Sequence, residues 1–239
     1  MRLPTTRLTT LVLTAIGVML VRPGWSDDKP SFDKWEKDIA AFEQKDKESP
    51  PPKNAVLFAG SSSIRRWDLK KSFPDLDAIN RGFGGSQIAD STHFAPRIIL
   101  KAEPRRIVFY AGDNDLAAGK SPESVRDDYK QFAARVRAKL PEAKIVFVSI
   151  KPSVLRWGLA EKMRTANTLI AGAMKDDPKQ VFVDIWPAML GPDGKPRREL
   201  FVFDGLHLSA EGYKVWAGLV KPHLVAPPAG ERPRQPPAD

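Results

Sequence analysis

The sequence predicts an α/β fold, a three-layer α/β/α sandwich around a mostly five-stranded parallel sheet. Short apolar runs of strand length alternate with segments of helical periodicity along most of the chain. The runs are rich in β-branched residues and apolar on both faces, which is typical of parallel strands covered by helices on both sides. Repeated β–α units of this kind build doubly wound sheets.

The first predicted element is an amphipathic helix in the stretch "SFDKWEKDIAAFEQKDKESPPP". Ser31 is a candidate N-cap, and the prolines at 50–52 end the helix. The apolar residues at helical spacing are Phe32, Trp35, Ile39 and Phe42.

Strands and helices alternate after this segment. The predicted strands are 54–60, 77–80, 105–112, 143–150 and 180–185. The predicted helices cover about 87–101, 122–139, 159–175 and 209–224.

Composition narrows the possible chemistry. The chain has 239 residues, of which 42% are hydrophobic, so one domain with a sizeable core is expected. It has no cysteine, which excludes disulfides, thiolate metal sites and a cysteine nucleophile. Only three histidines occur, so we expect no His-rich metal site and no metal or other cofactor. The formal charge is +9, but basic residues alternate with acidic ones, so nucleic-acid binding is not expected.

The N-terminal sequence predicts export, and the C-terminal sequence predicts a disordered tail. Arg2 and Arg7 precede the apolar stretch "LTTLVLTAIGVMLV", and small residues follow near Ser26. Residues 1–26 are therefore predicted to be a signal peptide, with an uncleaved membrane anchor as the alternative. No stable membrane span is expected after cleavage, and the predicted location is the bacterial periplasm or the extracellular space. The proline-rich tail, 226–239, is predicted to be disordered.

Most of the unusual polar residues follow the predicted strands directly. Ligands of open parallel α/β sheets bind outside the carboxyl ends of the strands. The segments at those positions are "GSSS", "RGFGGSQ", "GDND" and "KPSVLRW", with "DGLHLSAEGY" after the last strand. The sequence thus predicts a functional site at this rim of the sheet.

Ser62 lies two residues after Gly60, at the predicted start of a helix. A serine hydroxyl becomes a nucleophile when a base takes its proton and nearby donors stabilise the resulting oxyanion. A plain helix cap is the alternative for the three serines. We assign no chemical role to Arg65, Arg66 and Trp67, which are expected to begin the covering helix.

The glycines of "NRGFGGSQ" allow positive φ and a close approach of backbone N–H groups to a ligand. The alternative is an ordinary loop. Gln87 stands where G-x-G-x-x-G requires its last glycine, and no phosphate-loop motif occurs, so a nucleotide site is weakly supported.

Two further segments carry polar side chains suited to catalysis. Asn114 can donate an amide N–H to an oxyanion, although Asp113 and Asp115 beside it could instead bind a divalent cation or form a turn. Asp204 precedes His207 by three residues, so in one helical turn its carboxylate can hold the imidazole in one tautomer and leave the other nitrogen free as a base. The alternative is a histidine that is simply satisfied at the surface or in the core.

These segments resemble the SGNH hydrolases, also called the GDSL-like esterase/lipase family. The matches are "GSSS", "GFGGS", "GDND" and "DGLH", in the family's order, and the resemblance covers 54–224. It implies a flavodoxin-like sheet and an SGNH hydrolase domain at 54–225, with a helix and proline-rich linker at 27–53 before it.

The resemblance also implies the role of each site residue. Ser62 is the nucleophile, His207 acts as base and then acid, and Asp204 orients His207. The oxyanion hole is formed by the N–H groups of Ser62 and Gly85 with the side chain of Asn114.

The chain departs from the family pattern at Ser61, which replaces the usual aspartate. That aspartate is typically supportive, so activity is still expected, and the register from Gly60 favours Ser62 over Ser63 as nucleophile. Trp157 or Arg156 is expected to line the substrate pocket, with packing of Trp157 on the next helix as the alternative.

The sequence therefore predicts a secreted serine esterase that cleaves acetyl or short acyl esters of glycans or lysophospholipid-type lipids through an acyl-enzyme. A non-catalytic exported binding protein is the first alternative, supported by Ser61. A metal-dependent phosphoesterase using Asp113, Asp115 and His207 is the second. The substrate is a small-molecule, lipid or glycan ester, and the oligomeric state stays open.

Overall fold

The computed structural model describes residues 32–224. The predicted signal peptide at 1–26, the Ser31 cap and the tail at 226–239 lie outside the described residues.

Five strands of the described chain form one sheet in which every pairing is parallel. Their order is β2-β1-β3-β4-β5. The α/β class and the five-stranded parallel sheet are confirmed. The strands are β1 Val56–Gly60, β2 Ala78–Gly82, β3 Arg106–Tyr110, β4 Lys144–Val148 and β5 Gln180–Val183.

Eight α-helices of the described residues surround the sheet. They are α1 Glu36–Glu48, α2 Ser62–Arg65, α3 Leu69–Ser72, α4 Ile88–Ile98, α5 Asp113–Ala117, α6 Pro122–Arg137, α7 Ala160–Met174 and α8 Ala210–Val220. None of the helices within residues 32–224 is long and apolar enough to cross a bilayer.

Side-chain caps mark the starts of α4, α6 and α8. The hydroxyl of Ser121 accepts the amide of Ser124 before α6, whose first residue is Pro122. The hydroxyl of Ser209 does the same for Gly212 in α8, and Gln87 forms a capping box with the third residue of α4.

The covering helix expected after Ser62 is shorter than predicted. It ends after a single turn at Arg65, and Asp68 caps the separate helix α3. Trp67 lies between the two helices and is buried against Phe58 and Trp216.

Alternate strand residues point to opposite faces of the sheet and build two hydrophobic cores. Leu57, Ile107 and Phe109 face the core shared with α1, α4, α6 and α7. Phe58, Val108 and Tyr110 face the core shared with α8 and with the segment that contains Trp67. These two cores are the contacts between the three layers.

Helix α1 is part of the first core. Trp35 and Ile39 are buried there, and the Trp35 Nε1–H donates to the carbonyl oxygen of Gly84 at 2.9 Å. Arg97 of α4 forms ion pairs with Glu36 and Glu43. The segment before residue 54 therefore supports the glycine loop that follows β2.

Candidate active site

The carboxyl ends of the strands meet at one rim of the sheet, where a cavity of about 600 Å³ opens. Ser62 follows β1 and Asn114 follows β3, on either side of the point where the strand order reverses. Ser62, Gly85, Asn114 and His207 all line this cavity. Four segments that are distant in the sequence are thus brought to one site.

The turn before Ser62 depends on Gly60. Its φ of +128° is strained for any other residue, and a Cβ there would lie 1.9 Å from the carbonyl oxygen of Tyr110. The amide of Ser61 then donates to this same oxygen at 3.0 Å, which ties the turn to β3. Ser62 follows as the first residue of α2 and stands at the rim.

The structure distinguishes the three serines. Ser62 Oγ lies 3.0 Å from His207 Nε2. Ser63 is buried, and its hydroxyl and carbonyl oxygens are bonded to Lys151 and Tyr213. Ser61 is also buried, and its Oγ has no hydrogen-bond partner among residues 32–224. Of the triplet, Ser62 is thus the residue that the fold places beside the imidazole.

His207 is oriented by Asp204 across a tight turn instead of a helical one. Asp204 Oδ2 lies 2.6 Å from His207 Nδ1, and its Oδ1 accepts the backbone amides of Leu206 and His207. Burial raises the pKa of Asp204, but the hydrogen bonds from the His207 ring and the two amides outweigh it and hold that pKa well below its usual value. The carboxylate therefore stays ionised and accepts the Nδ1–H, which leaves Nε2 to accept the Ser62 hydroxyl.

The loop that carries His207 is fixed mainly by backbone bonds. Phe201 and Leu208 form an antiparallel bridge, and the amide of Val202 donates to the His207 carbonyl at 2.9 Å. The guanidinium of Arg198 donates to three carbonyl oxygens of this loop. The amide of Leu155 donates to the Gly205 carbonyl, which connects the loop to the segment after β4.

Gly85 and Asn114, the other two residues expected at the site, both line the cavity. Gly85 has a φ of +74°, and no described atom lies within 4 Å of the position of a Cβ. Asn114 Nδ2 donates to the Ser86 carbonyl at 3.0 Å, and Asn114 Oδ1 accepts from Arg156 at 2.9 Å. An amide carries two N–H groups, so one remains for a ligand.

A buried ion cluster lies behind Ser62, and the sequence did not indicate it. The Lys151 ammonium donates to Asp113 at 2.8 Å, to the Tyr110 hydroxyl at 2.9 Å and to Ser63 Oγ at 3.2 Å. Arg156 also lies 3.1 Å from Asp113. Burial acts to raise the pKa of Asp113, but the charges of Lys151 and Arg156 keep it below its usual value. The only signal for this cluster was a lysine directly after an apolar strand.

The two carboxylates proposed as metal ligands do not converge. Asp113 pairs with Lys151 and Arg156, whereas Asp115 pairs with Lys120 and accepts the amide of Ile88. Burial raises the pKa of Asp115 to about 6. Within the described part of the chain, no three His, Asp or Glu side chains are grouped to hold a metal ion.

Trp157 does not line the cavity. It is partly buried and its ring stacks on Trp186, with centroids 6.3 Å apart, so it contributes to packing. Its neighbour Arg156 does line the cavity. Arg65 and Arg66, which were given no role from the sequence, line it as well.

Comparison with known proteins is consistent with this geometry. The model of the GDSL-like lipase/acylhydrolase family matches residues 57–215. The platelet-activating factor acetylhydrolase IB subunit alpha1 of Bos taurus is 30% identical over 168 residues, covering 66% of this chain and 69% of the bovine protein.

Two solved structures share the fold. A GDSL-like lipase of Bacteroides thetaiotaomicron superposes with a TM-score of 0.67 at 20% identity, covering 81% of this chain and 97% of that one. A carbohydrate esterase family 3 protein of Talaromyces cellulolyticus gives a TM-score of 0.57 at 21% identity, covering 71% and 95%. The extent of the family match and the bovine relative together place this chain in the GDSL-like lipase/acylhydrolase family of carboxylic ester hydrolases.

Proposed function

We propose that this protein is an exported serine esterase that hydrolyses acetyl and other short acyl esters through Ser62, His207 and Asp204. The observation that carries the proposal is the chain of two hydrogen bonds, 3.0 Å from Ser62 Oγ to His207 Nε2 and 2.6 Å from His207 Nδ1 to Asp204 Oδ2. A nucleophile, its base and the group that orients the base are thus in reach of one another.

The reaction follows from this geometry in two steps. Ser62 Oγ attacks the ester carbonyl while His207 Nε2 takes its proton, and the imidazolium then protonates the departing alcohol oxygen. Water attacks the acyl-Ser62 ester as His207 takes a proton from it, and that proton returns to Ser62 Oγ when the carboxylic acid leaves. Asp204 stays ionised and stabilises the imidazolium in both steps.

The negative charge that forms on the carbonyl oxygen of the ester must be stabilised by hydrogen-bond donors. We assign them to the N–H groups of Ser62 and Gly85 and to the free N–H of Asn114. The bond from Arg156 to Asn114 Oδ1 at 2.9 Å fixes the amide and withdraws electrons from its nitrogen. One such donor accounts for about 10²–10³ in rate.

The lining of the cavity favours a short acyl group. Among the described residues that line it, Leu206 is the one with an aliphatic side chain. A long acyl chain would find little apolar surface there. The names of an acetylhydrolase and a carbohydrate esterase among the similar proteins also support short acyl esters of lipids or glycans. Export is proposed from the basic and apolar character of residues 1–26.

The test is covalent labelling with a fluorophosphonate probe, followed by mass spectrometry of the labelled peptide. We expect the label on Ser62 and its loss in Ser62→Ala, because only this serine is activated by His207. The matched control is Ser61→Ala, which removes a buried hydroxyl without a partner in residues 32–224 and should keep full labelling. A folded protein that takes no label would instead support a non-catalytic binding protein.

Asp204→Asn is expected to lower kcat for p-nitrophenyl acetate by about 10³–10⁴, with little change in KM. An asparagine can still accept the amides of Leu206 and His207, but it does not stabilise the imidazolium. Steady-state kinetics measures the effect, and thermal unfolding checks that the loop is intact. A loss of less than tenfold would contradict the role given to Asp204.

A further inference from the structure

The catalytic cavity is lined by an unusual share of cationic side chains. Apart from Gly84 and the residues assigned to the reaction, its described lining consists of Leu206 and three arginines, Arg65, Arg66 and Arg156. No Asp or Glu of the described residues lines the cavity. A site for a neutral ester has no need of such a lining, because guanidinium groups suit carboxylate and phosphate oxygens.

The three arginines differ in how far their charge is already compensated. Arg156 is bonded to Asp113 and Asn114, and its side chain is only 18% exposed. The Arg65 side chain is 56% exposed, and its ion-pair partner Asp38 is 3.6 Å away, with a side chain that is 36% exposed. Arg66 is exposed and forms no ion pair within residues 32–224. Arg65 and Arg66 therefore retain N–H donors for a ligand.

Arg65 and Arg66 are both close to Ser62. They follow Ser62 by three and four residues on α2 and its C-cap, so they lie on the same side of this short helix. Arg65 also extends over the glycine loop, since its Nη1 lies 3.1 Å from the position of a Cβ on Gly84. An anion bound by this pair would lie a few bonds from an ester carbonyl attacked by Ser62.

We propose that Arg65 and Arg66 bind an anionic group of the substrate, so that the preferred ester carries a carboxylate or a phosphate a few bonds from its carbonyl. This inference rests on the ester hydrolysis proposed above and names the class of ester. The chemistry at Ser62 is unchanged, and the arginines act by holding the substrate. An acidic sugar and a phosphorylated alcohol are two sources of this chemistry.

The test compares three acetyl esters of similar size. These are 4-acetoxybenzoate, 4-acetoxyphenyl phosphate and the neutral methyl 4-acetoxybenzoate. For Arg65→Gln/Arg66→Gln, we expect kcat/KM for the better anionic ester to fall at least about tenfold more than kcat/KM for the neutral ester. Comparing each variant with the unmodified protein on the same substrate removes differences in intrinsic reactivity between the esters. The anionic ester with the larger loss indicates carboxylate or phosphate as the natural group.

The matched control is Lys130→Gln/Arg135→Gln, which removes two exposed positive charges from α6, away from the cavity. It should leave the ratio between anionic and neutral esters unchanged. If the Arg65→Gln/Arg66→Gln variant loses all three activities equally, or loses none, the proposal is wrong. If the unmodified protein hydrolyses the neutral ester, the proposed esterase function stands whatever the arginine variants show.

Discussion

Replacing His207 by alanine is expected to lower kcat/KM for p-nitrophenyl acetate by about 10⁴–10⁶. In the proposed mechanism the imidazole is the base for Ser62, 3.0 Å from its hydroxyl, and the fold places no second histidine beside this serine in the described residues. Without the base the hydroxyl keeps its proton and attacks the ester poorly. Steady-state kinetics on highly purified protein measures the loss.

Because base and nucleophile act as one unit, the two losses should not add. His207→Ala/Ser62→Ala is expected to be no slower than either single variant within the error of the measurement. His223→Ala is the matched control, since His223 lies beyond α8 and does not line the cavity. A loss below about a hundredfold in His207→Ala, or a further large loss in the double variant, would contradict the assigned roles.

Replacing Lys151 by methionine is expected to lower the free energy of unfolding by about 3–5 kcal/mol. Methionine has a similar length but leaves the buried carboxylate of Asp113 with Arg156 as its remaining cation. The hydroxyls of Tyr110 and Ser63 also lose their bonds to the ammonium. Denaturant unfolding at neutral pH measures the change.

A double-mutant cycle separates the ion pair from simple packing. Asp113→Asn removes the buried charge that has lost one of its two cations, so adding it to Lys151→Met should cost less than the two single effects together. Lys214→Met removes a comparable but exposed ion pair with Glu211 and should change stability little. Additive effects of Lys151→Met and Asp113→Asn would show that the two side chains are not coupled.

The sequence was sufficient to predict the sheet and the main helices. The run 105–112 contains β3 at Arg106–Tyr110, and the run 143–150 contains β4 at Lys144–Val148. Such strands are buried on both faces, so their nearly continuous apolar composition is enough to predict them. The positions of Ser62 and Asn114 followed from the rule that places ligands at the ends of parallel strands.

The parts that could not be predicted depend on contacts between distant segments. From the sequence alone, Lys151 resembles a surface lysine. The fold places the carboxylate of Asp113, which is distant in the sequence, 2.8 Å from its ammonium group. Trp157 follows the same strand as Arg156, but its ring turns to Trp186 and the arginine turns to the cavity. No local pattern distinguishes these two orientations, because side-chain partners outside the segment decide between them.

Ser62 and His207 are held in place by different kinds of structure. Ser62 begins the helix that directly follows β1, an interior strand of the sheet. His207 belongs to a loop that is held by the bridge between Phe201 and Leu208 and by the side chain of Arg198. Segments with few long-range bonds open at a lower free energy than the core around them. If the roles proposed for Ser62 and His207 hold, opening of this loop alone would separate the two side chains and stop the reaction while the sheet stays folded.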